Sequence, residues 1–179
     1  MPTPAIGAVG LMDDHERMAT IAIKAAGECL AVIGPCYPEF GQSLWLREIH
    51  GREDGDAPLV DLADEKLNGE IVRRLIADGK VTGVHDIADG GLLAAVAEMA
   101  LAGGIGAELD AMDAAFAFNE SQARYLVTYR AEAPLDRAQV PFEKIGTTGG
   151  QDLRVNGIAI PLADLRAANE RFFCEWMEA

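Results

Sequence analysis

Residues 83 to 104, GVHDIADGGLLAAVAEMALAGG, gather three carboxylates (Asp86, Asp89, Glu98), His85 and two glycine pairs within 22 positions. An apolar run leads into this stretch and an alanine-rich run leads out of it. A strand, an acidic Gly-Gly turn and a helix in that order put polar groups at the carboxyl end of a strand, where open α/β sheets hold their ligands. Gly90 and Gly91 would let a backbone approach closely, and free N–H groups at a helix start can hold a phosphate or a carboxylate. Asp89, however, stands in the N-cap position, where its carboxylate can satisfy those N–H groups for about 1 kcal/mol. It would also repel a phosphate unless a divalent cation came between them. Two readings therefore stand side by side: a magnesium-phosphate site on Asp86 or Asp89, and a capped helix with no ligand. A zinc site is disfavoured, because His85 and Asp86 are adjacent and His15 and His50 have no matched partners.

Two further polar runs have the composition of binding loops. In FNESQARYLV (118–127), Glu120, Ser121 and Gln122 precede a strand and could hydrogen-bond an amide or a ribose. The competing reading is a polar turn with Arg124 paired to Glu120 or to another carboxylate. In EFGQSLWL (39–46), Gly41, Gln42 and Ser43 form either a ligand loop or the first turn of a helix. The chain contains no P-loop, no Gly-x-Gly-x-x-Gly fingerprint and no Gly-x-Ser-x-Gly elbow, and no nucleophile–base pair can be named.

The elements that must position these groups follow from periodicity. Strands are expected at 4–12, 20–24, 28–33, 80–87, 105–109 and 123–129, with three short ones at 142–148, 152–155 and 158–160. Pro38 and Gly51 bracket a short helix. Leu67, Ile71, Leu75 and Ile76 mark one face of a helix over 62–78, closed by Gly79. The helix over 91–102 should pack through Leu92, Val96 and Met99 and turn Glu98 to solvent. A last helix from Pro161 should dock an aromatic stripe of Leu165, Phe172, Phe173 and Trp176. The fold class is α/β (α+β): one domain over 1–179, a mixed sheet of about six strands flanked by helices, with 1–12 as a linking strand. A strand placed at once after the first residues suits a piece of a longer chain.

Composition narrows the classes of function. Of 179 residues, 15 are Lys or Arg and 29 Asp or Glu, a formal charge of -14. As a whole-surface effect this repels nucleic acid and anionic membrane. Half the residues are hydrophobic, enough for a core. No run reaches the roughly 18 to 20 apolar residues of a membrane span. The three cysteines, with no Cys-x-x-Cys, suit a reducing cytoplasm, and Cys29 should be a buried thiol.

Taken in order, TPAIGAVGLMDD, GECLAVIG, FGQSLWL, VHDIADGGLLAAVAEMALAGGIGAEL, NESQARYLV and KIGTT resemble the C-terminal part of phosphoribosylformylglycinamidine synthase subunit II. The resemblance runs over residues 2 to 172, and its most specific parts are His-Asp-x-x-Asp-Gly-Gly-Leu and Glu-Ser-Gln-x-Arg. It implies the fold of the C-terminal domain of aminoimidazole ribonucleotide synthetase-related proteins. The family's subunit is several times longer and holds two copies of a two-domain unit, of which this would be the last domain. It implies an ATP- and glutamine-dependent ligase of purine biosynthesis that converts formylglycinamide ribonucleotide to formylglycinamidine ribonucleotide, in the cytoplasm. ATP and magnesium serve the full-length enzyme. The partners implied are the remaining domains of the same subunit, a glutaminase subunit and a small bridging subunit. The catalytic residues lie in the earlier domains, so the isolated chain is expected to be inactive. By correspondence with the first copy, Asp86 matches a magnesium ligand, and Glu120, Ser121 and Gln122 match a run that contacts substrate, with Gly90 and Gly91 beside them. In the second copy these positions border an auxiliary nucleotide site or serve structure alone. The sequence departs from the family pattern at Asn119, where a small residue is usual, and in the short stretch RAEAPLDRAQVPFEKIG. Two other readings are a non-catalytic interaction module and a fragment of a related enzyme such as a selenophosphate synthetase or hydrogenase-maturation protein.

Overall fold

The computed structural model describes residues 5–12, 14–136 and 140–178, without the side chains of 172–174 and 178. Seven strands form a single sheet: β1 (Cys29–Ile33), β2 (Gly83–Asp86), β3 (Ala107–Leu109), β4 (Tyr125–Tyr129), β5 (Phe142–Thr148), β6 (Asp152–Val155) and β7 (Ile158–Pro161). Their order across the sheet is β2-β4-β1-β5-β3-β6-β7. The β3–β6 pair is parallel and the others are antiparallel. The sheet is thus mixed and flanked by helices, as expected, with one strand more than the six foreseen.

β1 explains its own composition. All five of its residues are buried, because it lies between β4 and β5 and is covered on both faces. Leu30 and Val32 join a core with Leu92, Ala95, Val96 and Met99 of α3 (Gly91–Gly103). Cys29, Ala31 and Ile33 join a second core with Ile71, Val72 and Leu75 of α2 (Leu62–Ala77). The pleat sends alternate side chains to opposite layers. The predicted packing of α3 holds: Leu92, Val96 and Met99 are fully buried, and Glu98 is solvent-facing while accepting from His85 Nε2 at 2.8 Å. Cys29 is the buried thiol expected.

Four expectations are corrected. Residues 5–12 lie exposed, and among the described residues no strand runs alongside to pair with their alternating pattern. The segment around 20–24 makes a lone bridge between Thr20 and Gly83 and then turns its backbone to α3, Ile23 N donating to Met99 O at 3.2 Å. The helix after Pro38 starts only at α1 (Leu44–His50), where the Ser43 hydroxyl accepts from Leu46 N at 3.2 Å. Leu67, placed on the packed face of α2, is exposed: the buried row of the helix is Asn68, Ile71, Val72 and Leu75, and Leu67 borders an open cleft beside it.

The final helix, α5 (Leu162–Glu178), docks through Leu162 and Leu165. Its expected aromatic stripe is not a docked one at Trp176, which is 72% exposed, and the Phe172 and Phe173 side chains lie outside the described residues. Among the described residues no helix is long and apolar enough to cross a membrane.

Candidate functional site

The polar run 119–124 lies between α4 (Ala114–Phe118) and β4, against the starts of α1 and α3. Glu120, nine-tenths buried, uses one oxygen for two helices: Oε1 accepts from Leu44 N at 2.9 Å and from Gly90 N at 2.8 Å. These amides belong to the first turns of α1 and α3, where backbone donors lack partners within the helix. A carboxylate there also complements the positive end of each helix. Ser121 is buried and closes a two-way bridge to the loop after β1, accepting from Tyr37 N and donating to Tyr37 O, both at 3.0 Å. Gln122 is half-buried and donates from Nε2 to Glu120 O at 3.1 Å.

Ala123 has φ +57°, in the left-handed region that costs an L-residue about 1–2 kcal/mol. Two side chains of α2 hold it there. Glu65 Oε1 accepts from Ala123 N and Asn68 Nδ2 donates to Ala123 O, both at 3.0 Å. Gly34 presses on the same carbonyl: a Cβ at Gly34 would stand 2.3 Å from Ala123 O.

Asn119 is fully buried and ties the run together. Its Oδ1 accepts from Ser121 N at 3.1 Å and from Arg124 Nη1 at 2.8 Å. Its Nδ2 donates to Cys36 Sγ at 3.0 Å and to the Ala115 carbonyl. The residue that departs from the small one expected is thus the anchor of the loop. Among the described residues Arg124 bonds to Asn119 and not to Glu120 or another carboxylate.

The Gly90-Gly91 pair has a packing reason. Both have positive φ, and a Cβ at Gly91 would stand 2.7 Å from Asn119 O. Gly91 N donates to Ala88 O at 3.0 Å, so the amides of both glycines are engaged within the chain. Asp89 does not cap α3. Gly90 occupies that position without a side-chain hydrogen bond, and Glu120 reaches over from another segment to do the work.

What remains open is a cleft of about 210 Å³ walled by Glu65, Asp86, Ile87, Ala88, Gln122, Ala123, Arg124 and Tyr125. The structure therefore brings Asp86 and Gln122 to one cleft and turns Glu120 and Ser121 into its framework. Asp86 is 68% exposed and its Oδ1 lies 3.1 Å from His85 Nδ1. The hydroxyl of Tyr125 is pushed above its usual value, first by burial and then by the charges of Glu65 and Asp86. Glu65 and Tyr125 were missed in the sequence. One sits mid-pattern in an amphipathic helix and the other in a strand, so only their convergence reveals them. Among the described residues no group of three His, Cys, Asp or Glu side chains is arranged to hold a metal. Asp86 fits a magnesium ion only as one carboxylate ligand, with phosphate and water oxygens supplying the rest.

Residues 25–156 match the family described as AIR synthase related protein, C-terminal domain. The chain is 55% identical, over 99% of its length, to the phosphoribosylformylglycinamidine synthase subunit PurL of Novosphingobium aromaticivorans, of which it covers 24%. It is 49% identical, over its whole length, to that of Parvibaculum lavamentivorans, covering 26%. The chain thus spans about a quarter of the length of these relatives. Among solved structures it is similar to T. maritima PurL complexed with FGAR, with TM-score 0.68 and 17% identity over 84% of this chain and 30% of that one. It is also similar to thiamine monophosphate kinase from Aquifex aeolicus, with TM-score 0.54 and 17% identity over 79% of this chain and 54% of that one. At these identities the two structures speak for the fold.

Proposed function

The chain belongs to the AIR synthase related protein C-terminal domain family, and from that membership we propose that it is the last domain of a phosphoribosylformylglycinamidine synthase subunit. The observation that carries this reading is the 55% identity to such a subunit along 99% of the chain. The parent protein would be a cytoplasmic ligase of purine biosynthesis. It would convert formylglycinamide ribonucleotide to formylglycinamidine ribonucleotide with ATP and glutamine. Proteins of this name have been solved with FGAR, with ATP and with ADP, and one as PurLQS, in support of nucleotide use and of partner subunits. Those partners would be a glutaminase subunit, a small bridging subunit and the remaining domains of the same subunit.

Within that enzyme, bound magnesium and ATP would supply an activated phosphoryl group. This chain's share is to present the Asp86 carboxylate and the Gln122 amide at one cleft, on a loop braced by Glu120 and Ser121. The parent subunit, supplied with ammonium salt, ATP and formylglycinamide ribonucleotide, should form the amidine, and the 179-residue chain alone should not. No turnover by the parent, or turnover by the chain alone, would overturn the assignment.

A second reading, a purely structural module, is favoured by one observation: Glu120, Ser121 and the amides of Gly90 and Gly91 are already engaged internally. Asp86→Ala combined with Gln122→Ala in the parent separates the two. Lost ADP or magnesium binding supports a site, and unchanged nucleotide content with unchanged turnover supports the scaffold.

A further inference from the structure

Glu28 is 5% exposed, and its Oε2 is buried with no hydrogen-bond partner among the described residues. A carboxylate taken out of water without a partner is unfavourable, so the group calls for a donor that its neighbours do not supply. Glu28 is also a wall of a cleft of about 400 Å³, formed by the segment before β1, the end of α2 and the approach to β2.

Much of that wall carries the opposite charge. Lys24 and Arg130 border the cleft, and Glu28 and Arg130 flank the paired residues Cys29 and Tyr129 at the same end of β1 and β4. Neither cation is bonded to the buried oxygen: Lys24 Nζ donates to the Thr20 hydroxyl, and Oε2 stays without a partner. Arg17, a third cation of the wall, is tied to Asp14 at 3.5 Å, and Glu16 adds a second negative charge. Met18, Ile76 and Val81 supply apolar wall.

This mixture selects among ligands. A simple anion meets Glu28 and Glu16, and a simple cation meets Lys24, Arg17 and Arg130, so part of the wall opposes each. A molecule with an ammonium and a carboxylate on one carbon satisfies both signs at once. It also has no net charge, so the overall charge of -14 does not repel it.

We propose that this cleft binds a free α-amino acid with an apolar side chain, its ammonium on Glu28 and its carboxylate on Arg130 and Lys24. Met18, Ile76 and Val81 receive the side chain. This goes beyond the synthase reading and does not depend on it.

The backbone amide resonances of Lys24 to Glu28 in the ¹⁵N-labelled 179-residue chain read the site. Leucine should shift them saturably. N-acetyl-leucine lacks the ammonium and leucinamide lacks the carboxylate, so each should bind at least about tenfold more weakly, as charge-assisted bonds are lost. Glycine binding as tightly as leucine would overturn the role of the apolar walls. Glu28→Gln keeps the shape and removes the charge, and should weaken leucine about tenfold or more. Should that variant fail to fold, Arg130→Gln changes an exposed position, and should weaken leucine while leaving leucinamide as before. The proposal fails if leucine moves none of these resonances, as it would if Lys24 or Arg130 swung onto Glu28 and closed the cleft. It fails equally if N-acetyl-leucine and leucinamide match leucine, since the paired charges would then play no part.

Discussion

Glu120 serves two helix starts through one oxygen, so its loss strips two backbone donors of their acceptor at once. Glu120→Ala leaves Leu44 N and Gly90 N without their acceptor, and we expect a loss of about 2–4 kcal/mol in denaturant unfolding. Glu120→Gln keeps an acceptor oxygen and should cost about 1 kcal/mol. Tyr125 gives a pH-dependent check. Its folded value is raised, so its contribution is complete below the unfolded value of about 10 and is lost as pH climbs through the folded one. Ultraviolet titration, with Tyr125→Phe as the difference control, should place Tyr125 above free tyrosine. Asp86→Asn should bring it part of the way down. At this scale the sequence revealed which residues are special but not what they do. A Glu-Ser-Gln run reads the same whether its side chains face a ligand or a neighbouring helix. The difference lies in residues 30 to 84 positions away, among them Gly90 and Tyr37.

The elements with strong periodicity were legible: β1, α2, α3 and the three short strands β5, β6 and β7 form where apolar spacing and glycine punctuation place them. Alternation failed at 5–12 and 20–24, because a strand needs a partner: among the described residues the first segment has none in the sheet and the second only a lone bridge from Thr20 to Gly83. Strand order was out of reach for a related reason. β1 lies between β4 and β5, pairings separated by about a hundred residues that leave no local trace. Gly34, at the end of β1, is constrained twice over. Its φ is +107° and a Cβ there would collide with Ala123 O. Gly34→Ala should destabilise by about 3 kcal/mol or more, whereas Gly27→Ala, with positive φ but nothing within 4 Å, should cost about 1 kcal/mol. Thermal or urea unfolding of the two variants side by side checks the ranking.

For the molecule as a whole, the ordered motifs named a family before any coordinates, and the family match over 25–156 bears that out. Composition alone could not have done so, since a charge of -14 and an ordinary core describe many domains. The structure adds a division of labour. Asn119, Glu120 and Ser121 are bonded within the chain, while Asp86 and Gln122 line a cleft. The chain spans about a quarter of its relatives' length, and on the proposed function it adds one cleft to a larger enzyme, so the isolated chain should be folded and yet catalytically silent.

The single oxygen shared by Leu44 N and Gly90 N has a kinetic consequence. Ser43 caps α1 at Leu46 N, but the acceptor that serves Leu44 N is the one that also serves Gly90 N at the start of α3. With one acceptor between them, withdrawing the Glu120 carboxylate exposes both amides to water at the same moment. Hydrogen exchange at the two amides should therefore be coupled, and Glu120→Ala should remove the protection of both together.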